Sequence, residues 1–199
     1  MSQQILVIHG GNAFLTYDEY LSYLKSKELS LEKLRFKDWK RNLADVLGKG
    51  YDVFAPQMPN SQNARYSEWK IWFEKIIPLL NEPIILIGHS LGGIFLAKYL
   101  SENNFPKNVK ATFLVAAPYN TEEQHPLVDF NILGNLSGLI RQGGDIFVYQ
   151  SKDDQVVPFT NVLDYQKRLP NAHVRIFEDR QHFNQAEFPE IVDDIKSLK

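Results

Sequence analysis

The chain has 199 residues, of which 44% are hydrophobic and 23% are charged, so it can bury one sizeable core like an ordinary globular protein. Its formal net charge of −2 at pH 7 provides no basic field for nucleic acid or an anionic membrane. It contains no cysteine, which excludes disulfides, thiolate metal sites and a cysteine nucleophile.

The N-terminal stretch, MSQQILVIHGG, lacks the basic start and the apolar core of a signal peptide. No apolar stretch approaches the roughly 18 residues that a membrane-spanning helix needs. We therefore expect one domain over residues 1–199 in the cytoplasm, with no nucleic-acid partner and no membrane partner. A monomer or a weak dimer is the expected oligomeric state.

Short runs rich in valine, isoleucine and phenylalanine predict strands separated by helices. The predicted strands lie at 4–9, 51–56, 83–88, 111–117, 145–150 and 173–178. Most of these runs are apolar almost throughout, which is typical of a parallel sheet covered on both faces. The predicted helices lie at 66–80, 91–103, 159–169 and 185–198. Pro78 is expected to kink or end the first of them, and Thr160 to cap the third.

This alternation predicts a doubly wound α/β fold with a mainly parallel sheet of about six strands. Ligands of such folds bind beyond the carboxyl ends of the strands, so each catalytic residue should follow a strand. Residues 16–47 are too long for one crossover helix. They predict a helix near 16–26, a turn or short helix, and a second helix near 37–47. This helical insertion after the first strand either caps the site or forms an inert hairpin.

The stretch GHSLGG, residues 88–93, matches the pattern G-x-S-x-G where a predicted strand meets a predicted helix. A sharp turn there would strain the backbone of Ser90 and crowd the positions two before and two after it, so glycine is needed at those positions. Such a nucleophile elbow exposes the serine oxygen at a helix N-terminus. The alternative is a glycine-rich turn whose serine only caps the helix; the context favours the elbow.

A serine nucleophile needs a base, and the chain has five histidines. His182 follows the last predicted strand and is the predicted base. His9 is expected to shape a loop, and His89 to point away from the neighbouring hydroxyl. His125 and His173 are expected to be solvated.

A third group must orient the imidazole, and two adjacent acids follow the fifth predicted strand. The distance to residues 157–158 favours Asp154, which leaves Asp153 as a supporting or solvated residue. Glu122 and Glu123, after the fourth strand, are alternatives for the acid. The chain order of serine, aspartate and histidine is one that serine triads use.

An oxyanion hole needs two backbone N–H groups. Leu91, the residue after the serine, is predicted to supply one of them. The loop HGGN, residues 9–12, is predicted to supply the other, with Gly11 preferred and Asn12 second. The same loop can also be read as a tight turn without a donor role.

Three stretches, IGHSLGG, SKDDQVVPF and DRQHFNQAEFPEIVDDIKSL, together resemble the α/β-hydrolase superfamily. Within it the chain is similar to the small, nearly lidless serine hydrolases of the YdeN and retinoblastoma-binding-protein-nine type, over nearly its whole length. The resemblance implies an α/β-hydrolase fold and a triad of Ser90, Asp154 and His182. The chain departs from the family at Gln181, where glycine is common, and in the length of residues 16–47.

The expected activity is that of a carboxylesterase-like serine hydrolase, which cleaves small-molecule esters through an acyl-enzyme without a cofactor or metal. The alternatives are a thioesterase, an aminopeptidase or another acyl-transfer or carbon–carbon hydrolase on the same triad, or an interaction protein with a vestigial site. Side chains on loops that follow strands are expected around the site as candidate substrate contacts: Asn12, Phe14, Tyr17, Pro118, Tyr119, Phe159 and Phe183. For any one of the aromatic side chains, burial without substrate contact is the favoured alternative.

Overall fold

A computed structural model describes residues 2–119 and 127–198. Its strands are β1 (Gln3–Ile8), β2 (Tyr51–Phe54), β3 (Ile84–His89), β4 (Val109–Val115), β5 (Asp145–Ser151) and β6 (His173–Phe177). They form one sheet in the order β2-β1-β3-β4-β5-β6, with every neighbouring pair parallel. The predicted doubly wound α/β fold with a parallel sheet of six strands is confirmed. The strand order reverses beside β1, and ligands of open α/β sheets bind at such a point.

The two faces of the sheet are both buried, which explains the continuous apolar runs. In β1, Leu6 contacts one core layer and Ile5 the other, because successive side chains of a strand point to opposite faces. The register pairs Ile5 with Ile85 and Leu6 with Leu86, and none of these four side chains is exposed. The centre of the sheet is therefore fixed by large aliphatic side chains on both sides.

Helices cover the sheet on both faces. Within the described residues the α-helices are α1 (Tyr17–Ser26), α2 (Leu31–Arg35), α3 (Trp39–Leu47), α4 (Tyr66–Ile76), α5 (Leu91–Glu102), α6 (Ser137–Gln142), α7 (Thr160–Arg168) and α8 (Pro189–Ser197). Helices α4 to α7 pack on one face, and α3 and α8 on the other. As predicted at Pro78, α4 ends just before it and a short 3-10 helix follows. None of the described helices is long and apolar enough to cross a membrane.

Two predicted helix starts were wrong. Thr160 does not cap α7 but is its first residue, because the turn begins one step earlier, where the carbonyl of Pro158 accepts from the Asn161 amide. Helix α8 begins at Pro189 rather than near residue 185. The residue before a proline is disfavoured in helical geometry, and Phe188 accordingly has φ −145°.

The predicted helical insertion after β1 is present as α1, α2 and α3. Thr16 and Glu19 form a reciprocal capping box at the start of α1, which fixes where that helix begins. Neither α1 nor α2 has a buried residue, whereas α3 buries Trp39, Leu43 and Leu47. Helix α3 is therefore part of the core, and α1 and α2 lie outside it.

The close passage of α5 over β1 can be tested at Gly92. A Cβ atom at this position would lie 2.2 Å from the carbonyl oxygen of Ile8. We expect Gly92→Ala to lower the free energy of unfolding, measured by urea denaturation, by about 1–3 kcal/mol. Gly134→Ala is the control, because no described atom lies within 4 Å of its added Cβ. Equal stability of the two variants would contradict the close contact.

Candidate active site

Ser90 lies in the turn between β3 and α5 and has a strained backbone, with φ 55° and ψ −122°. A Cβ atom on Gly88 would lie 2.4 Å from the carbonyl oxygen of Gly92, so glycine is required where the chain doubles back. The Ser90 amide donates to the carbonyl of Val115 at 2.8 Å, which ties the turn to the end of β4. The serine side chain is thereby held at the carboxyl edge of the sheet.

His182 connects Ser90 with Asp154. Its Nε2 lies 2.9 Å from Ser90 Oγ, and its Nδ1 lies 2.9 Å from Asp154 Oδ2. A carboxylate can only accept, so Nδ1 carries the proton and Nε2 is free to accept the serine proton. The structure thus brings the three side chains into one hydrogen-bonded row, in the order that nucleophilic catalysis by serine requires.

The Asp154 carboxylate is fully buried and surrounded by donors. The amides of Val156 and Val157 donate to its Oδ1 at 2.8 and 3.0 Å, and Gln150 Nε2 donates to its Oδ2 at 3.3 Å. These bonds stabilise the negative charge and aim Oδ2 at His182. Of residues 157–158, from which the sequence favoured Asp154, Val157 donates its amide to the carboxylate, whereas Pro158 has no amide hydrogen.

The neighbouring acid, Asp153, instead holds the backbone next to His182. Its Oδ1 accepts from the Gln181 amide at 2.8 Å and from the Ser151 hydroxyl. The hydrogen bond from Ser151 lowers the pKa of Asp153. Glu122 and Glu123, the alternative acids, lie outside the described residues.

The loop after β1 passes directly beside the serine. A Cβ atom on Gly10 would lie 3.1 Å from Ser90 Cβ. The Asn12 amide donates to the Ser61 carbonyl at 2.9 Å, so it cannot bind an oxyanion. The Gly11 amide has no acceptor among the described residues, and Leu91 is the first residue of α5. Gly11 and Leu91 are therefore the amides best suited to an oxyanion.

His9 shapes this loop, as the sequence indicates. Its Nε2 accepts from the Met58 amide at 2.9 Å, so its Nδ1 carries the proton and donates to the Gly10 carbonyl at 2.6 Å. Burial lowers the pKa of His9, which keeps this neutral tautomer. Both ring nitrogens are thus used to hold the loop. His173 is exposed at the start of β6 and stacks on Phe147, and His125 lies outside the described residues.

A cavity of about 880 Å³ opens beside Ser90. Its apolar wall comes from Ala13, Phe14, Leu15, Leu91, Pro118, Leu127, Val156 and Val157. Its polar wall comes from Asn12, Thr16, Asp18, Glu19, Ser22, Tyr23 and Gln155. Within the described residues the lining includes two carboxylates and no lysine or arginine. The sequence did not indicate the residues of α1 in this lining, because helical periodicity alone does not say which face looks toward a site.

Asn12, Phe14 and Pro118 line the cavity, but four other predicted contacts do not. Tyr17 is 65% exposed, outside the cavity. Tyr119 is buried against Tyr165, with their ring centroids 5.2 Å apart.

Phe159 and Phe183 also lie away from the cavity. Phe159 packs against the core that contains α7. Phe183 is fully buried and contacts Phe177 and Phe188. Its φ of 52° turns the side chain inward, although its neighbour His182 faces Ser90. Position after a strand was therefore too weak a criterion for substrate contact.

The described residues contain no group of three or more histidines and acids that could hold a metal ion. The hydrogen-bonded row of Asp154, His182 and Ser90 matches serine-based chemistry, and the comparisons with known proteins agree. Residues 32–190 match the family described as serine hydrolase. The chain belongs to this family.

Relatives of this serine hydrolase cover most of its length. Serine hydrolase RBBP9 of Rattus norvegicus is 28% identical over 152 residues, which are 75% of this chain and 78% of that protein. YdeN of Bacillus subtilis is 26% identical over 174 residues, or 86% of this chain and 82% of that protein. The crystal structure of the B. subtilis ydeN gene product superimposes with a TM-score of 0.72 and 22% identity, covering 99% and 98% of the two chains. The predicted family resemblance is confirmed.

His89, the residue before the serine, is expected to make the stability of the serine hydrolase depend on pH. Burial lowers the pKa of His89 well below its ordinary value, and the charge of Lys40 lowers it further. In the unfolded chain this histidine titrates near pH 6.5, so the unfolded state binds more protons below that pH and folding stability falls as the pH drops. We expect this group to contribute a slope of up to ~1.4 kcal/mol per pH unit between about pH 6 and 5. Urea denaturation of wild type and His89→Gln measures it, and identical slopes would contradict the prediction.

Proposed function

We propose that this serine hydrolase cleaves small, uncharged carboxylic esters through an acyl-enzyme on Ser90. The observation that carries the proposal is the hydrogen-bonded row from Asp154 through His182 to Ser90 at the wall of an open cavity. A vestigial site is disfavoured, because all three groups are present with distances and a tautomer suited to proton transfer. The predicted single domain, cytoplasmic location and monomeric or weakly dimeric state stay predictions.

In the acylation step, Ser90 Oγ attacks the ester carbonyl carbon while His182 Nε2 takes the serine proton. Asp154 stabilises the imidazolium through Nδ1–H. The carbonyl electrons move onto oxygen, where the amides of Leu91 and Gly11 would bind the oxyanion. When the intermediate collapses, the carbon–oxygen bond of the leaving alcohol breaks and His182 returns the proton to that alcohol.

Deacylation repeats these steps with water. His182 Nε2 takes a proton from the attacking water, the tetrahedral intermediate collapses, and Ser90 leaves with the proton returned to its oxygen. The carboxylic acid is released and the free enzyme is restored. Each oxyanion donor is worth about 10²–10³ in rate in comparable enzymes, so the loop after β1 should matter almost as much as the acid. The N-terminus of α5 adds favourable partial positive charge beside the serine.

The charge of the cavity favours an uncharged substrate. Asp18 and Glu19 line it, and no described lining residue is a lysine or arginine that could bind a phosphate or carboxylate. A coenzyme A thioester carries several phosphate charges, which two carboxylates would repel. The same carboxylates make an aminopeptidase-type substrate with a free ammonium the second candidate. Glu19 is engaged in the capping box, which leaves Asp18 as the partner for such a cation.

The triad is tested with a fluorophosphonate probe, which labels an activated serine. We expect wild type to be labelled and Ser90→Ala and His182→Ala not to be. Asp154→Asn should slow ester hydrolysis about 10⁴-fold, because the amide favours the wrong imidazole tautomer. Asp153→Asn is the matched neighbour and should cost about tenfold or less, because its amide oxygen can still accept from Gln181. If the folded wild type is not labelled, the enzyme proposal fails. If Asp153→Asn slows ester hydrolysis more than Asp154→Asn does, the acid of the triad is Asp153.

The substrate class is tested by comparing three substrates with the same short acyl group: a neutral aryl ester, a coenzyme A thioester and an uncharged amide. An aminoacyl amide with a free ammonium is the fourth. We expect kcat/KM to be highest for the neutral ester. Among the four substrates, Asp18→Asn should lower turnover most for the aminoacyl amide. Preference for the thioester would contradict the ester proposal. Preference for the aminoacyl amide, lost in Asp18→Asn, would establish the second candidate instead.

A further inference from the structure

The loop that carries His182, here called the histidine loop (residues 180–186), has an unusual backbone. Gln181 and Phe183, on either side of the histidine, have φ of 47° and 52°. Side chains with a Cβ rarely adopt these angles, and for a bulky residue such as phenylalanine they are a clear outlier. A conformation of this kind persists only where the surrounding structure determines it.

Helix α3 helps to hold the histidine loop in this conformation. Trp39 Nε1 donates to the Phe183 carbonyl at 2.8 Å, and the Trp39 backbone amide donates to the Gln185 carbonyl at 2.9 Å. Asn42 Nδ2 donates to the Ala186 carbonyl at 3.1 Å. Trp39 is 2% exposed, so its bond to Phe183 is shielded from competing water. One of the three helices of the insertion after β1 is thus hydrogen-bonded to the loop that carries the base.

His89 supplies a further bond, to the histidine itself. Its Nε2 donates to the His182 carbonyl at 2.8 Å, and the two rings lie 5.0 Å apart. It also meets the Trp39 ring edge to face, at 6.3 Å and 87°. His89 is 3% exposed and takes no part in the proton transfers described above. Burial keeps it neutral, which leaves Nε2–H as a donor.

We propose that His89 and Trp39 are positioning residues for the base, which hold His182 within reach of Ser90 through the carbonyls of residues 182 and 183. This inference rests on the proposed function. These two bonds hold the backbone just after the imidazole, and the bond from the Gln181 amide to Asp153 holds it just before. The loop therefore sets the direction of the ring. A displacement of about 1 Å at a catalytic group can cost about 10²-fold in rate. Helix α3 therefore holds the loop that carries the base, whereas α1 borders the cavity.

The test compares His89→Met with His89→Gln. Methionine fills the buried space without a donor, whereas the amide nitrogen of glutamine can replace Nε2–H. We expect His89→Met to lower kcat for the neutral ester about 10- to 10²-fold with KM within about threefold of wild type. His89→Gln should recover kcat to within about threefold. If both folded variants lose the same rate, ring shape and not the donor matters, and the proposal is overturned.

Hydrogen exchange of the peptide that spans the histidine loop gives a readout independent of activity. We expect exchange to quicken at least about tenfold in His89→Met and not in His89→Gln. Trp39→Phe, which keeps an aromatic ring and loses Nε1–H, should behave like His89→Met and replaces it if that variant does not fold. If His89→Met and Trp39→Phe show the same hydrogen exchange and the same kcat as wild type, the proposal is overturned. A wild type that cleaves no ester and takes no probe would refute the proposed function, while the exchange comparison would still decide whether the two residues order the loop.

Discussion

The hydrogen bond between Ser90 and His182 joins loops that are 92 residues apart along the chain. A parallel sheet makes this possible, because the carboxyl ends of all its strands meet at one edge. Ser90 follows β3, Asp154 follows β5 and His182 follows β6. Backbone bonds from Ser90 to Val115 and from Ala116 to Tyr149 link the ends of β3, β4 and β5. The site is therefore built where the ends of three neighbouring strands are linked to one another.

Backbone strain is concentrated at the same edge. Ser90, Gln181 and Phe183 all have positive φ, and each such residue costs of order 1–3 kcal/mol. Buried contacts offset this cost, with Phe183 enclosed by two other phenylalanines and its carbonyl held by Trp39. At the strained turn Ser90 lines the cavity, and in the strained loop the His182 imidazole faces Ser90 while Phe183 is buried in the core. Strained backbone angles and hydrogen bonds between distant residues thus hold Ser90, Asp154 and His182 in one arrangement.

The sequence was sufficient to predict those features that depend on local pattern. Continuous apolar runs predicted strands covered on both faces, and the glycines around Ser90 predicted a crowded turn. The order of the three candidate residues, each after a strand, predicted which side chains the fold would bring together. The choice of Asp154 over Asp153 followed from its distance to residues 157–158, and the structure shows that the amide of Val157 donates to the Asp154 carboxylate.

Features that depend on distant contacts or on one dihedral angle could not be predicted. Phe183 points into the core because of a single positive φ, which no periodicity reveals. Gln181 adopts an angle that favours glycine, held by a bond to Asp153 rather than by its own residue type. The bond from Trp39 spans 144 residues, so helical spacing identified its helix but not its function. The residues of α1 that line the cavity were missed because helical spacing does not say which face of a helix borders a cavity.

The central claim is that Ser90 becomes acylated during turnover, and rapid quenching with a neutral activated ester followed by peptide mapping tests it most directly. The account predicts one acyl group on the peptide that contains Ser90, formed faster than steady-state turnover and lost again by hydrolysis. Hydrolysis of the ester with no acylated peptide, or with the acyl group on another residue, would contradict it.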